Sequence, residues 1–228
     1  MRPILILLLS LAALGLALPN LKAAEDTVSL PQQAEAPDYK SGGAWTYRSN
    51  NKMLSGSRSN LLNGDFEITL QDGKRVVSQL DSGGQKADVS TPGALSLMLP
   101  TKGIIEADTQ YFQFPLVVGK KWTAKFYSKP ASRWLTADNT VTGIETVTTP
   151  AGTFPAFRIE RYSSVSVGTV YVGTFNMDST WIYFYSPQTR SLLKYHYQQE
   201  RREGAGRNPA LMETHDIELI KFDAGTPQ

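Results

Sequence analysis

The chain has 228 residues, enough for one substantial domain or two small ones, and it contains no cysteine. Its 23 basic residues exceed the 21 acidic ones only through Arg2 and Lys22 of the N-terminal leader, so the remainder is neutral. That balance excludes the basic excess of a general nucleic-acid binder. The missing cysteines exclude disulfides and a lipid-modified cysteine, so the domain must stand on its hydrophobic core.

Residues 1–24 read as a secretory signal peptide. Arg2 supplies the positive region, Ile4 to Leu18 is an almost unbroken apolar run, and small residues follow. Cleavage fits either after Gly15-Leu16-Ala17 or near Ala23-Ala24. The apolar run is shorter than the ~20 residues of a spanning helix. Residues 25–43, rich in Ala, Pro, Gln and acidic side chains, are expected to be a flexible linker.

From residue 44 the texture becomes that of strands. Trp45 and Tyr47 alternate with Thr46 and Arg48, and a polar loop is expected over Asn51 to Asn60. Phe66, Ile68 and Leu70 alternate with Glu67 and Thr69, and Val76 and Val77 return after Asp72-Gly73. An Asp-Gly pair between two β-prone runs predicts a hairpin. Pro92 to Leu99 suits a short helix or buried loop, and Ile104 to Phe114 a strand ending at Pro115. Trp122, Ala124 and Phe126 share one face of the next strand, which Lys129-Pro130 breaks. Arg133-Trp134-Leu135 then bridges to the segment from Val141 to Arg161.

That segment reads strand, tight turn, strand. The turn is Thr149-Pro150-Ala151-Gly152, where proline fixes one backbone angle and glycine permits a positive φ. Beyond it, Phe157 and Ile159 face one way and Arg158 and Glu160 the other. Arg158, Glu160 and Arg161 are expected to form cross-strand ion pairs on a solvated face. Tyr162 to Val172 alternates Ser with Val, and Trp181 to Tyr185 is a dense aromatic run. Ser186-Pro187-Gln188-Thr189 turns the chain, Leu192 to Gln198 returns, and Met212 to Phe222 supplies a last strand. Nine or ten strands without a helix-length amphipathic run predict an all-β domain over 44–222, followed by a tail at 223–228. The expected architecture is one curved antiparallel sheet, a half-barrel or a barrel.

PLVVGKKW (Pro115 to Trp122), VTTPAGTFPAFRIE (Val147 to Glu160) and TWIYFYSPQTRSLLKY (Thr180 to Tyr195) resemble exported bacterial β-proteins of the TapB-like, DUF3108-like group. That resemblance implies a curved antiparallel sheet in the cell envelope. It brings no established catalytic residues.

No catalytic motif emerges from the residues. The two histidines, His196 and His215, have no paired-ligand spacing, so no metal is expected and each is read as a hydrogen-bonded strand residue. Ser164-Val165-Ser166-Val167-Gly168 lacks the first glycine of a nucleophile elbow. Glu145, Glu160, Glu106 and Asp108 could supply an acid pair for glycoside hydrolysis only at a defined separation of ~5 to 10 Å. The aromatic content stands out: four Trp, ten Tyr and nine Phe. Trp181, Tyr183 and Tyr185 share one strand face, and Trp122 and Phe126 share another. These five are the candidate ligand-binding residues, set against the plainer reading of a packed aromatic core.

The expected function is therefore a non-enzymatic periplasmic or secreted protein, without a cofactor, binding a lipid, glycan or other envelope-derived molecule on a concave face. Its rivals are a module that binds an envelope protein through a sheet edge and a hydrolase of envelope polymers without a recognisable motif. An outer-membrane barrel is set aside because the expected strands are short and carry Lys and Arg.

Overall fold

The computed structural model describes residues 31–37, 43–54, 63–71, 74–80, 86–88, 112–128, 133–169, 173–203 and 208–224. Residues 71, 74, 75, 86–88, 126–128, 133 and 169 are described by backbone alone. The signal peptide, the short helix or buried loop expected at Pro92 to Leu99 and most of the strand expected from Ile104 lie outside the described residues.

In chain order the strands are β1 (Gln33–Ala34), β2 (Ala44–Met53), β3 (Gly64–Gln71), β4 (Lys74–Leu80), β5 (Lys86–Asp88) and β6 (Leu116–Val117). There follow β7 (Lys121–Ser128), β8 (Arg133–Thr149), β9 (Gly152–Thr169), β10 (Gly173–Ser186), β11 (Ser191–Arg202) and β12 (Ala210–Asp223). No helix occurs among the described residues. Ten strands form one sheet in the order β5-β4-β3-β2-β12-β11-β10-β9-β8-β7. Every described pairing is antiparallel. The sheet is two meanders, β2 to β5 and β7 to β12, joined where the last strand lies beside the second. Among the described residues it is open, with β5 and β7 at its edges.

The β8–β9 hairpin shows how local sequence builds this sheet. Thr149↔Gly152 closes the turn around Pro150 and Ala151, and Gly152 has φ +133°. Thr149 Oγ1 accepts from the Ala151 amide at 3.2 Å. From the turn, β-branched Val141, Thr146, Val147, Thr148 and Thr149 fit the pleat. The strands run 17 and 18 residues, much longer than expected. Arg133 to Leu135 begins β8 instead of bridging to it, and Gly168 does not interrupt β9. The polar loop expected from Asn51 starts later, because β2 continues to Met53 against β12.

Bulges bend these long strands. Thr142, Leu193 and Ile220 are each an extra residue in their ladders. A bulge shifts the alternation and increases the local twist. Consecutive Leu192 and Leu193 are both fully buried for that reason, and Phe222 rejoins the inner face opposite Trp45. Phe154 of β9 meets Phe222 of β12 edge-on with centroids 5.7 Å apart. In a flat sheet those strands would be about 14 Å apart, three spacings of ~4.8 Å. The sheet is therefore curled, and among the described residues it forms a half-barrel whose edge strands do not pair.

The inside of the curl is the core. Trp45, Tyr47, Phe66, Ile68, Phe157, Ile159, Tyr183 and Tyr185 are buried there. Trp45 Nε1 donates to the Thr189 carbonyl at 2.9 Å, tying β2 to the β10–β11 turn. A strap crosses this floor. Phe112 packs edge-on against Tyr183, Phe114 does so against Tyr185, and Leu116 is fully buried. β1 pairs with β6 in the strap, and Ala34 is buried beneath it. The stretch expected as a linker thus contributes a short strand at Gln33–Ala34.

Strand length no longer separates this sheet from a membrane barrel, since β8 to β12 run 12 to 18 residues. Arg48, Arg158, Glu160, Lys194 and Glu218 point outward where a barrel carries an apolar lipid-facing band. No helix among the described residues is long and apolar enough to cross a membrane.

Candidate functional site

One cross-strand row on the inner face gathers an unusual set of side chains. Trp122 pairs with Asn139, Asn139 with Arg161, Arg161 with Trp181, Trp181 with Tyr197, Tyr197 with His215 and His215 with Asn51. Seven strands, from β7 to β2, each give one residue. At ~4.8 Å per strand the row follows the curl for about 29 Å. The next row along the strands, toward the hairpin turn, is apolar: Val141, Ile159, Tyr183, Tyr195 and Ile217. Along β9 to β12 the row on the other side is polar, with Ser163, Ser179, Gln199 and Glu213, before it ends in Met53 on β2. The chosen row is thus the border between an aromatic floor and a polar inner wall.

Arg161 is 1% exposed, and its guanidinium carbon lies 5.2 Å from the centroid of the Trp181 ring. Trp181 in turn packs on Tyr197, with centroids 5.2 Å apart. A cation against the face of an aromatic ring is favoured by the ring quadrupole, more so when water is excluded. Burial raises the Tyr197 phenol to about 12, partly offset by a hydrogen bond with Ser179. Tyr197 is neutral throughout the physiological range.

His215 is as buried as Arg161. Its Nε2 lies 2.8 Å from Ser49 Oγ, and its ring meets Tyr195 edge-on at 5.5 Å. Burial lowers its pKa to about 4, against a smaller opposing pull from Asp216. The imidazole is neutral at pH 7. Asn139 donates through Nδ2 to the carbonyls of Trp122 at 3.2 Å and Ala137 at 3.1 Å. Among the described residues, Asn139 Oδ1 and His215 Nδ1 are buried with no hydrogen-bond partner. A buried polar atom left unpaired costs ~1 to 3 kcal/mol, so a row carrying two of them calls for a reason. Burial also raises the Glu213 carboxyl, with a hydrogen bond to Asn51 opposing.

The five expected binding residues fall into separate environments. Tyr183 and Tyr185 are 0% and 1% exposed and lie sealed under Phe112 and Phe114. Burial pushes the Tyr185 phenol well above its usual range. Trp122 and Trp181 stand in the same row, on β7 and β10, with Trp181 half-buried and Trp122 buried. The side chain of Phe126 lies outside the described residues; its backbone pairs with Leu135.

Sequence reading placed Arg161 with Arg158 and Glu160 on a solvated face, and here it needs correction. Arg158 does face outward, with ion pairs to Glu160 at 2.9 Å and Glu145 at 3.5 Å. Arg161 follows Phe157 and Ile159 at odd-numbered positions, so it points inward. Strict alternation along β9 carries that signal. Asn139, Tyr197 and His215 offered none, because their alignment depends on pairing between distant segments. Glu145 and Glu160, raised above as a possible acid pair, share one arginine on the outer face. Glu106 and Asp108 lie outside the described residues. Among the described residues no cluster of His, Asp or Glu could hold a metal ion.

No family model matches the chain. No curated protein matches it either. Two solved structures are similar in outline. A candidate lipoprotein from Parabacteroides distasonis shares 12% identity at a TM-score of 0.35, over 84% of this chain and 100% of that one. A candidate exported protein with a YmcC-like fold from Bacteroides fragilis shares 12% identity at a TM-score of 0.29, over 83% and 99%. Likenesses so distant leave the inner row to be argued from its own geometry.

Proposed function

We propose that this chain is a non-enzymatic exported protein that holds an apolar, envelope-derived molecule against the inner row of its curled sheet. Export rests on Arg2 and the apolar run to Leu18. Binding rests on one observation: the row places Trp181 and Tyr197 between two buried atoms, Asn139 Oδ1 and His215 Nδ1, that lack partners among the described residues. Aromatic faces accept acyl chains and sugar rings alike, while a few placed polar atoms fix orientation. A ligand with an apolar body and a hydrogen-bonding edge answers both features. Asn139 Oδ1 can only accept. His215 Nδ1 donates when Nε2 accepts from Ser49 Oγ, and accepts when Nε2 donates to it.

The test pairs recovery with mutation. Protein taken from the envelope is examined by native mass spectrometry for bound lipid or glycan, and titrated with the apolar dye anilinonaphthalene sulfonate. Trp181→Ala should weaken dye binding about tenfold, equivalent to ~1.4 kcal/mol. Tyr162→Ala, on the outer face, should leave it unchanged. A wild-type protein that carries no molecule and binds no dye, or equal losses in both variants, overturns the reading and favours a partner-binding envelope module.

A further inference from the structure

The outer face carries a second concavity, which shares Tyr195 and Ile217 with the apolar inner floor but none of the residues of the candidate row. It is a groove of about 330 Å³ over β10, β11, β12 and β2, lined by Phe184, Lys194, His196, Asp216, Glu218 and Arg48 among others. Its size lies at the small end of ligand pockets, which run roughly 300 to 1,000 Å³. That suits a compact molecule and not an acyl chain.

Register sets the charges in this groove. Phe184 lies opposite Lys194, Lys194 opposite Glu218, and Glu218 opposite Arg48. One file of side chains therefore reads apolar, cation, anion, cation at strand spacing. Three of the groove's titratable side chains are already engaged. Arg48 holds Asp65 through two hydrogen bonds of 2.9 and 3.2 Å, and His196 Nδ1 lies 2.6 Å from Asp216. Lys194 and Glu218 have no ion pair within 4.0 Å among the described residues, although they face each other across the ladder and Glu218 also acts on Arg48 electrostatically. The groove thus presents an ammonium, a carboxylate and an aromatic ring side by side.

We propose that this groove binds a small zwitterion of the α-amino-acid class with an apolar side chain. Its carboxylate meets Lys194, its ammonium meets Glu218, and its side chain lies on Phe184. A neutral apolar molecule would leave both charges desolvated, and a simple anion or cation would satisfy one while meeting a like charge at the other. Only a molecule carrying both signs matches the file.

Isothermal titration calorimetry at low salt decides it, with L-phenylalanine as the probe. Phenethylamine carries the ammonium alone and phenylpropionate the carboxylate alone. Saturable binding of L-phenylalanine is expected. Each half-analogue should bind about tenfold more weakly, since each lacks one of the two charge-assisted hydrogen-bonding groups. Lys194→Met should reduce L-phenylalanine to the affinity of phenethylamine, and Glu218→Gln to that of phenylpropionate. No saturable heat with L-phenylalanine overturns the proposal. So does binding that both half-analogues match, or that neither substitution changes. The dye titration at Trp181 reports on the opposite face, so either site can fail without the other.

Discussion

The guanidinium of Arg161 lies 5.2 Å from the ring centroid of Trp181, and the two residues are direct cross-strand partners on the inside of the sheet. Arg161 comes from β9, the second strand of the long hairpin, and Trp181 from the aromatic run of β10. Their contact ties the hairpin to the candidate site. It also separates the roles of the aromatic residues along β10: Trp181 borders the polar row, whereas Tyr183, two residues on, is sealed beneath Phe112.

That separation should be measurable as stability. Tyr183→Ala removes a fully buried ring from the floor and should cost roughly 3 to 5 kcal/mol in urea unfolding. Trp181→Ala removes a half-buried ring and one cation–aromatic contact and should cost clearly less. If the two losses are equal, Trp181 is floor as well, and the division of the inner face fails.

His215 makes folding sensitive to pH. Its folded pKa of about 4 lies below the ordinary value of 6.5, so the unfolded chain takes up the proton first as the pH falls. Its contribution is complete above about pH 6.5 and is lost progressively down to about pH 4, at up to ~1.4 kcal/mol per pH unit. Below that window it is level. Urea midpoints of wild type and His215→Gln, compared from pH 7.5 to pH 4, should converge across this interval. Parallel curves would show that His215 takes up its proton as readily in the fold as in the unfolded chain, and that burial does not hold it neutral.

The hairpin turn depends on Gly152. At φ +133° a side chain is strained, and a Cβ there would lie 3.0 Å from the Phe154 ring. Gly152→Ala should therefore lower the melting temperature, at a cost of ~1 to 3 kcal/mol. Gly168→Ala is the comparison, since its Cβ would meet only Thr174 Oγ1 at 3.7 Å. That change should stay within about 0.5 kcal/mol. Similar melting shifts at both positions would remove the special status of the turn.

Arg158 tests the outward ion pairs. It bridges Glu145 and Glu160 while remaining partly exposed, and such pairs are worth ~0 to 1 kcal/mol. Arg158→Met should change stability by less than about 1 kcal/mol, and less still at high salt, where the pairs are screened. A loss of several kcal/mol in calorimetry would mean that this arginine carries structural weight the geometry does not give it.

Short-range signals were enough to read the all-β class, the β3–β4 hairpin, the Pro150-Gly152 turn and the common face of Trp181, Tyr183 and Tyr185. Those features depend on residues within a few positions of one another, because successive side chains in a strand point to opposite faces. The same rule held the inward direction of Arg161, two residues beyond Ile159. What alternation cannot reach is register between strands far apart in the chain. His215 stands beside Asn51 and Tyr197 only because β12 pairs with both β2 and β11. The extra residues at Thr142, Leu193 and Ile220 reset the alternation midway along three strands and bend the sheet until Phe154 meets Phe222. The strap that covers Tyr183 and Tyr185 is likewise held by long-range packing. Which aromatic residues became sealed core and which came to border a polar row was therefore decided by curvature and cross-strand register, both set by the whole sheet at once.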